Sequence, residues 1–350
     1  MDTDVIIIGG GLSGLALADH LQRLGVDYRL LEARSRFGGR VKVAKVEDGF
    51  FDLGPSWFWP GQPRIADMVS RFGLTVTEQY SKGTLSFEDE QGDVQRGLGF
   101  SSMEGSYRLK GGMNSLVTAI VAGLDPNKIQ ANAVVTAIHD NGHITVDLAD
   151  GQSVTSRKVV LAVPPRVAAT VNFQPALPAA AQGAMAAIPT WMAGHAKFVA
   201  VYDHAFWRDD GLSGDAMSRH GPLAEIHDAT DANTQNGALF GFVGVPASAR
   251  AGQGDAVKAA AIAQLGRLFG KQALSPKHVF YQDWAAAIET ATAQDFTPPN
   301  SHPNYGLPNA LANLWDGRLQ MGSSEMAGQF GGFLEGALEV AENLAVDLSE

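Results

Sequence analysis

The 350-residue chain contains no cysteine. Disulfides, thiolate metal ligands, a cysteine nucleophile and a cysteinyl link to a cofactor are thereby excluded, and no metal site is read. Long apolar runs are also missing. No stretch approaches the ~18 apolar residues of a membrane span, and the first apolar strand begins at Val5, too early for a leader ahead of it. A cytoplasmic location is the expectation. Positive charge is scarce as well: 26 Lys and Arg stand against 37 Asp and Glu, a formal net charge of −11, and the basic residues are scattered. A nucleic-acid partner, which needs a basic face to neutralise phosphates, is not expected. What the chain has in surplus is glycine, 40 residues against an average near ~7%. Backbone turns and close approaches must account for it. The length exceeds what one compact core usually holds, so two packed domains are expected.

Val5 to Ile8 is a short apolar run ending in Gly9-Gly10-Gly11, and Leu12 to Leu24 follows with apolar residues at helical spacing. Tyr28 to Leu31 then gives a second strand, which makes a parallel pair with a crossover helix. Pro63 to Phe72 and Gly111 to Gly123 read as helices, and Leu85 to Gln95 as a hairpin around Gln91-Gly92. Ala133 to Ile138 and Ile144 to Leu148 flank Asn141-Gly142, a strong hairpin signal, and Ser153 to Thr155 and Val159 to Val163 extend the meander. An Ala/Pro-rich segment from Phe173 to Ala193 marks a domain crossing. Beyond it come strands at Phe198 to Tyr202, with Lys197 at its head, Gly237 to Val243 and Val279 to Trp284, a helix at Asp255 to Phe269, a strand at Leu319 to Gly322 and a tail helix from about Gly332 to Leu348. This is an α/β, two-domain pattern. The expected cofactor domain comprises residues 1–76, 108–178 and 290–350, and the expected substrate domain residues 77–107 and 179–289.

Gly9, Gly11 and Gly14 form G-x-G-x-x-G at the first strand-to-helix junction, and Glu32 ends the next strand, 18 residues after Gly14. The glycines allow a tight turn and close approach to a pyrophosphate at the helix N-terminus, beside Leu12 and Ser13, and the carboxylate can accept hydrogen bonds from a ribose. NAD and FAD both fit this pattern. After Glu32 runs Ala33-Arg34-Ser35-Arg36-Phe37-Gly38-Gly39-Arg40, a second glycine pair flanked by arginines that adds backbone donors and charge for an anionic cofactor.

"LLEARSRFGGRV" followed by "FDLGPSWFWPGQPRI" resembles the flavin-containing amine oxidases, the group of monoamine, polyamine and L-amino-acid oxidases. The resemblance continues through "LKGGMNSL", "VVTAI", "VVLAVPP", "AKFVAVYDHAFW" and "GGFLEGALEVAENLA", nearly end to end. It implies a Rossmann-like FAD domain of the glutathione-reductase type with a β meander, plus a mixed-sheet substrate domain. FAD, not NAD, is implied, and with no cysteine to attach it a non-covalent cofactor is expected, barring a histidyl link. Carried over, the pattern assigns Gly9, Gly11, Leu12, Ser13, Gly14, Glu32, Ala33, Arg34, Gly38, Gly39 and Arg40 to the ADP and phosphate portion. Val134 falls at the adenine end, Gly54, Pro55, Ser56 and Trp57 along the flavin, and Gly322, Glu325, Phe333 and Leu334 over the ribityl and ring. The tail helix would turn its positive N-terminal end toward the electron-rich flavin edge.

The family's lysine falls on Lys197, the only lysine between Lys158 and Lys258, at the head of an apolar strand. The resemblance implies contact with a water at flavin N5, and a desolvated lysine there would have a lowered pKa. Trp284, Tyr305 and Phe333 are implied as aromatic faces around the substrate amine. Among Trp57-Phe58-Trp59, alternation prevents all three from facing a core, so at least one is expected at the entrance. The implied reaction takes a hydride from the carbon of a small-molecule amine to N5, releases an imine and passes electrons to O2, giving H2O2. Flavin desaturases or isomerases, and a non-catalytic flavin-binding protein, share the fold and remain alternatives. Only about 50 residues separate Pro60 from Lys110, where larger members insert a helical substrate domain. A small cap is expected, with an open site or one completed by a second copy of the chain or by a bulky substrate.

Overall fold

The computed structural model describes residues 2–349. Two sheets carry the molecule. The first runs, in spatial order, Asn172–Gln174, Val135–Asp140, Ile144–Leu148, Ser153–Leu161, Thr3–Ile8, Tyr28–Leu31 and Ile129–Gln130. Thr3–Ile8 pairs in parallel with both Tyr28–Leu31 and Ser153–Leu161, the arrangement that a βαβ crossover produces. Ser153–Leu161 is one continuous strand where the sequence suggested two short ones. Its first half pairs with Ile144–Leu148 and its second half with Leu319–Met321, so the meander and the parallel sheet share one backbone. Helix Leu12–Leu24 buries Leu15, Leu17 and Leu21 on this sheet, and tail helix Leu334–Ser349 packs beside it through Leu338, Ala341 and Ala345.

The second sheet runs His278–Asp283, Ala196–Tyr202, Gly237–Val243, Leu223–Asp228, Leu212–Ser218, Thr84–Glu88 and Val94–Arg96. Ala196–Tyr202 is buried along its whole length. One face, Phe198, Ala200 and Tyr202, packs with Val257, Leu265 and Leu268 of helix Gly254–Phe269. The other, Val199 and Val201, meets Phe51, Leu53 and Phe240 in a small core near the first sheet. The period-two alternation of a strand therefore puts Lys197, two before Val199, on the face turned toward the first sheet. The stretch after Phe173 differs from its expectation. Ala179–Ala187 is a helix whose Ala181 and Met185 sit in the core of the first sheet, and the chain reaches the second sheet only at Ala196.

Candidate active site

Between the two sheets lies a cleft of about 860 Å³. Its floor is built by the glycine turns. Gly11 bridges Gly38 as a pair of parallel chains, and Gly38 N–H donates to the Gly10 carbonyl at 2.7 Å. Gly38 and Gly39 hold φ of 106° and 55°, a left-handed backbone that favours glycine. At Gly14 the reason is contact: a Cβ there would collide with the Gly9 carbonyl oxygen. Glu32, 4% exposed, accepts from the N–H groups of Gly10 at 2.8 Å and Arg34 at 2.9 Å, so its carboxylate is fixed at the rim of the turn.

Gly9, Gly11, Leu12, Ser13, Glu32, Ala33, Arg34, Gly38, Gly39, Arg40, Gly54, Pro55, Ser56, Trp57, Val134, Lys197, Trp284, Phe333 and Leu334 all line this one cleft. Four expected residues do not. Gly14 shapes the turn from behind, and Gly322 accepts the Ser13 hydroxyl through its carbonyl. Glu325, fully buried, pairs with Arg40 at 2.7 Å and accepts from the Ser324 hydroxyl at 3.2 Å, so it acts on the cleft through those two residues. Tyr305 donates its hydroxyl to the Pro189 carbonyl at 2.7 Å and packs behind Gly331 and Gly332. Burial, reinforced by Glu325, pushes that hydroxyl far above the usual phenol range. The aromatic wall is formed instead by Trp57, Trp59, Trp191, Phe242, Trp284 and Phe333. Trp191 and His195 carried no signal in the sequence beyond His195 standing two residues before Lys197, on the same side of the chain.

The three consecutive aromatics divide as a strand-like alternation requires. Trp57 and Trp59 reach the cleft, whereas Phe58, 4% exposed, enters the first core against Tyr107. Trp284 is held by its indole N–H on the Leu53 carbonyl at 2.9 Å. Phe333 stacks on His302 at 5.0 Å and meets Trp59 edge-on at 6.4 Å.

Lys197 is 3% exposed. Its ammonium donates to the Gly54 carbonyl at 3.1 Å and the Ser56 hydroxyl at 2.6 Å, and lies 3.9 Å from the Phe240 ring centroid. Desolvation brings its pKa down to about 7; Asp52 resists that fall and Arg108 adds to it. Asp52, two residues before Gly54, is buried, and burial raises its carboxyl against the pull of Arg108 and Lys197. Such a lysine exchanges a proton near neutrality without a change of solvent exposure.

The chemistry of the lining fits a flavin dinucleotide. Glycine turns that admit close approach, the fixed carboxylate of Glu32, the cationic Arg34 and Arg40, and the N-terminal residues of two helices, Leu12 and Leu334, all face one cleft. A dinucleotide cradle continuous with an aromatic chamber and a desolvated lysine defines a flavin-type oxidoreductase. The chain belongs to the flavin-containing amine oxidoreductases: the family model matches residues 12–98 and 86–349. A probable flavin-containing monoamine oxidase A of Dictyostelium discoideum is 21% identical over 454 aligned positions, covering 99% of this chain and 97% of the relative. The putrescine oxidase of Kocuria rosea is 23% identical, covering 82% and 83%. Among solved structures, cyclohexylamine oxidase from Brevibacterium oxydans superposes with a TM-score of 0.84 at 19% identity, covering 100% and 99%, and a putrescine oxidase with 0.83 at 20%, covering 99% and 98%. An alignment of 454 positions against 350 residues means that this relative carries segments absent here. No helix among the described residues is long and apolar enough to cross a membrane.

Proposed function

We propose that the protein binds FAD non-covalently in this cleft and oxidises a small-molecule amine to an imine, with O2 as the electron acceptor and H2O2 as the product. The observation that carries the reading is the continuity of the glycine cradle with the chamber of Lys197. When bound, the flavin supplies a two-electron acceptor that takes the substrate's hydride; water then hydrolyses the released imine. Glu32, Arg34 and Arg40 would hold the dinucleotide, and Gly54 to Trp57 with Trp284 and Phe333 would border its ring. The residues around the chamber do three things. Trp57, Trp59 and Phe333 orient an amine and exclude water. Lys197, half neutral near pH 7, holds or gives up a proton at Nζ beside the Gly54 carbonyl and Ser56. Glu225 is the carboxylate of the chamber wall away from the cradle.

The last point bears on substrate. Arg208 is paired with Asp228 at 2.8 Å, Arg219 stands with Glu90 on the surface, and neither lines the cleft. Arg34 and Arg40 are paired with Glu289 and Glu325. With no unpaired arginine among the described lining residues and Glu225 exposed to it, the chamber favours an amine carrying further positive charge over an amino acid. The test is anaerobic mixing of the yellow holoprotein with amines and amino acids. Amines are expected to bleach the flavin and air to restore it with peroxide release; a spectrum unmoved by every amine would refute the reading.

A further inference from the structure

Beside the chamber, His227, Asp215 and Glu225 form an array of which Glu225 lines the cleft, and the reaction above gives no part to His227 or Asp215. His227, on strand Leu223–Asp228, is 1% exposed. Its Nδ1 lies 2.9 Å from Asp215 Oδ1 on the neighbouring strand Leu212–Ser218, and its Nε2 lies 2.9 Å from Glu225 Oε1. Glu225 is two residues back on the same strand, hence on the same face. Ionised carboxylates accept hydrogen bonds and cannot donate them, so both ring nitrogens must carry hydrogen. Two carboxylate oxygens, one at each ring nitrogen, favour the imidazolium form of His227. Burial would lower the His227 pKa, but the bonds to Asp215 and Glu225 outweigh it and raise the value. The bond from His227 in turn lowers that of Glu225.

Both carboxylates have a second partner. The hydroxyl of Ser101 donates to Asp215 Oδ2, and that of Ser102 donates to Glu225 Oε1. These serines belong to the segment between strands Val94–Arg96 and Tyr107–Leu109, the part of the short cap that reaches the chamber: Met103, the next residue, lines the cleft with Ala224 and Glu225. The segment buries little apolar surface of its own, with Leu98 48% and Phe100 67% exposed. Backbone bonds hold its two ends, Gly97 N–H on the Leu85 carbonyl and Gln79 N–H on the Ser106 carbonyl, both at 2.9 Å, and between them these two hydroxyls tie it to the wall. The other groups on the His227 ring are aromatic, the edge of Trp57 at 5.2 Å and Phe240 at 5.3 Å, and Phe240 stands between the ring and the Lys197 ammonium. Asp215 and Glu225 are the charged groups that face it.

We propose that His227 is a positioning residue: its doubly hydrogen-bonded ring fixes Glu225 in the chamber wall and, through Ser101 and Ser102, fastens the cap segment 97–106 over the amine end of the cleft. The part concerning Glu225 rests on the amine reading above, and the part concerning the cap does not. A group whose pKa is raised by folding contributes fully below its unfolded value and is lost as pH rises through the folded one. The cap is therefore fastened most firmly at acid pH, below the unfolded value, and loosens as pH rises through the raised folded value.

The test measures hydrogen-exchange protection of segment 97–106 in the FAD-loaded protein, corrected for intrinsic exchange, at pH 6.5 and pH 9, alongside KM and kcat for a monoamine and a diamine. In wild type, protection of 97–106 falls at pH 9 while that of strand Ala196–Tyr202 holds. His227→Phe should lower cap protection at least tenfold already at pH 6.5 and raise KM for the diamine more than for the monoamine, with kcat little changed. His227→Gln, which keeps a donor, should lie between. The double variant Ser101→Ala, Ser102→Ala should free the cap yet leave the diamine preference. Unchanged cap protection in a folded His227→Phe protein overturns the proposal. Should that variant not fold, unchanged protection in the serine double variant overturns it equally. Flavin that no amine reduces would defeat the amine reading and leave the cap measurement to stand alone.

Discussion

Replacing Lys197 by methionine should make the apoprotein more stable, and by an amount that depends on pH. The side chain is 3% exposed, and its pKa falls from 10.5 to about 7 on folding, chiefly through desolvation. Because the folded value lies below the unfolded one, the unfolded chain binds more protons between the two, and stability rises with pH across that window. The cost of burying the lysine is full below pH 7 and gone above the unfolded value. At about 1.4 kcal/mol per tenfold change in protonation, the drop corresponds to roughly 4–5 kcal/mol at pH 7 and about 1–2 kcal/mol at pH 9.5. These are ceilings. Methionine forfeits the bonds to Gly54 and Ser56, about 1 kcal/mol each, and leaves Asp52 facing Arg108 without its second cation. That offset varies little across the alkaline window, so the change with pH is the diagnostic quantity. Urea unfolding of both apoproteins at pH 7 and pH 9.5 measures it. The advantage of Lys197→Met over wild type should shrink by about 3 kcal/mol between the two. An advantage independent of pH would show that Lys197 stays charged and hydrated in the folded protein, and would remove the basis for its role as a proton-exchanging group.

Other outcomes follow from single contacts. Gly14→Ala should weaken FAD retention and lower stability by about 1–3 kcal/mol, because the added methyl collides with the Gly9 carbonyl and must push the helix off the cradle; flavin release on gel filtration and a thermal melt check both. Tyr305→Phe should leave flavin reduction by amines within about twofold and cost stability about 1 kcal/mol, since its hydroxyl is spent on the Pro189 carbonyl outside the cleft; a large fall in the reduction rate would place Tyr305 back at the substrate.

The first sheet was legible because its signals are local. A G-x-G-x-x-G turn between an apolar strand and a helix, with an acid at the end of the next strand, describes one βαβ unit whose parts touch, and Thr3–Ile8 and Tyr28–Leu31 pair as that unit demands. The lysine was legible through its strand: five apolar residues after Lys197 predicted a buried β run, and alternation then fixed its face. Tyr305 misled because aromatic type and chain order do not encode which way a loop turns. Its ring lies behind Gly331 and Gly332, whose missing side chains make the room.

The least legible strands, Leu212–Ser218 and Leu223–Asp228, show the limit most clearly. Their inward positions include Asp215 and His227, which periodicity counts as solvent-facing, and neither residue is more than 3% exposed. Burial of such groups costs several kcal/mol unless each finds a partner, and the partners come from three separate places in the chain: Asp215, Glu225 and the serines at 101 and 102. No window of sequence contains that match, so neither strand could be read until the fold had assembled it. The same reasoning applies to Lys197, whose charge is tolerated only because Gly54, Ser56 and the ring of Phe240 converge on it. Lys197 lines the chamber and His227 is bonded to Glu225, which does, and in both cases the polar partners that make the residue tolerable also fix its direction. A chain with so short a cap lacks the bulk to seal its site by apolar packing, and buried polar ties of known geometry are what can hold the remaining segment down.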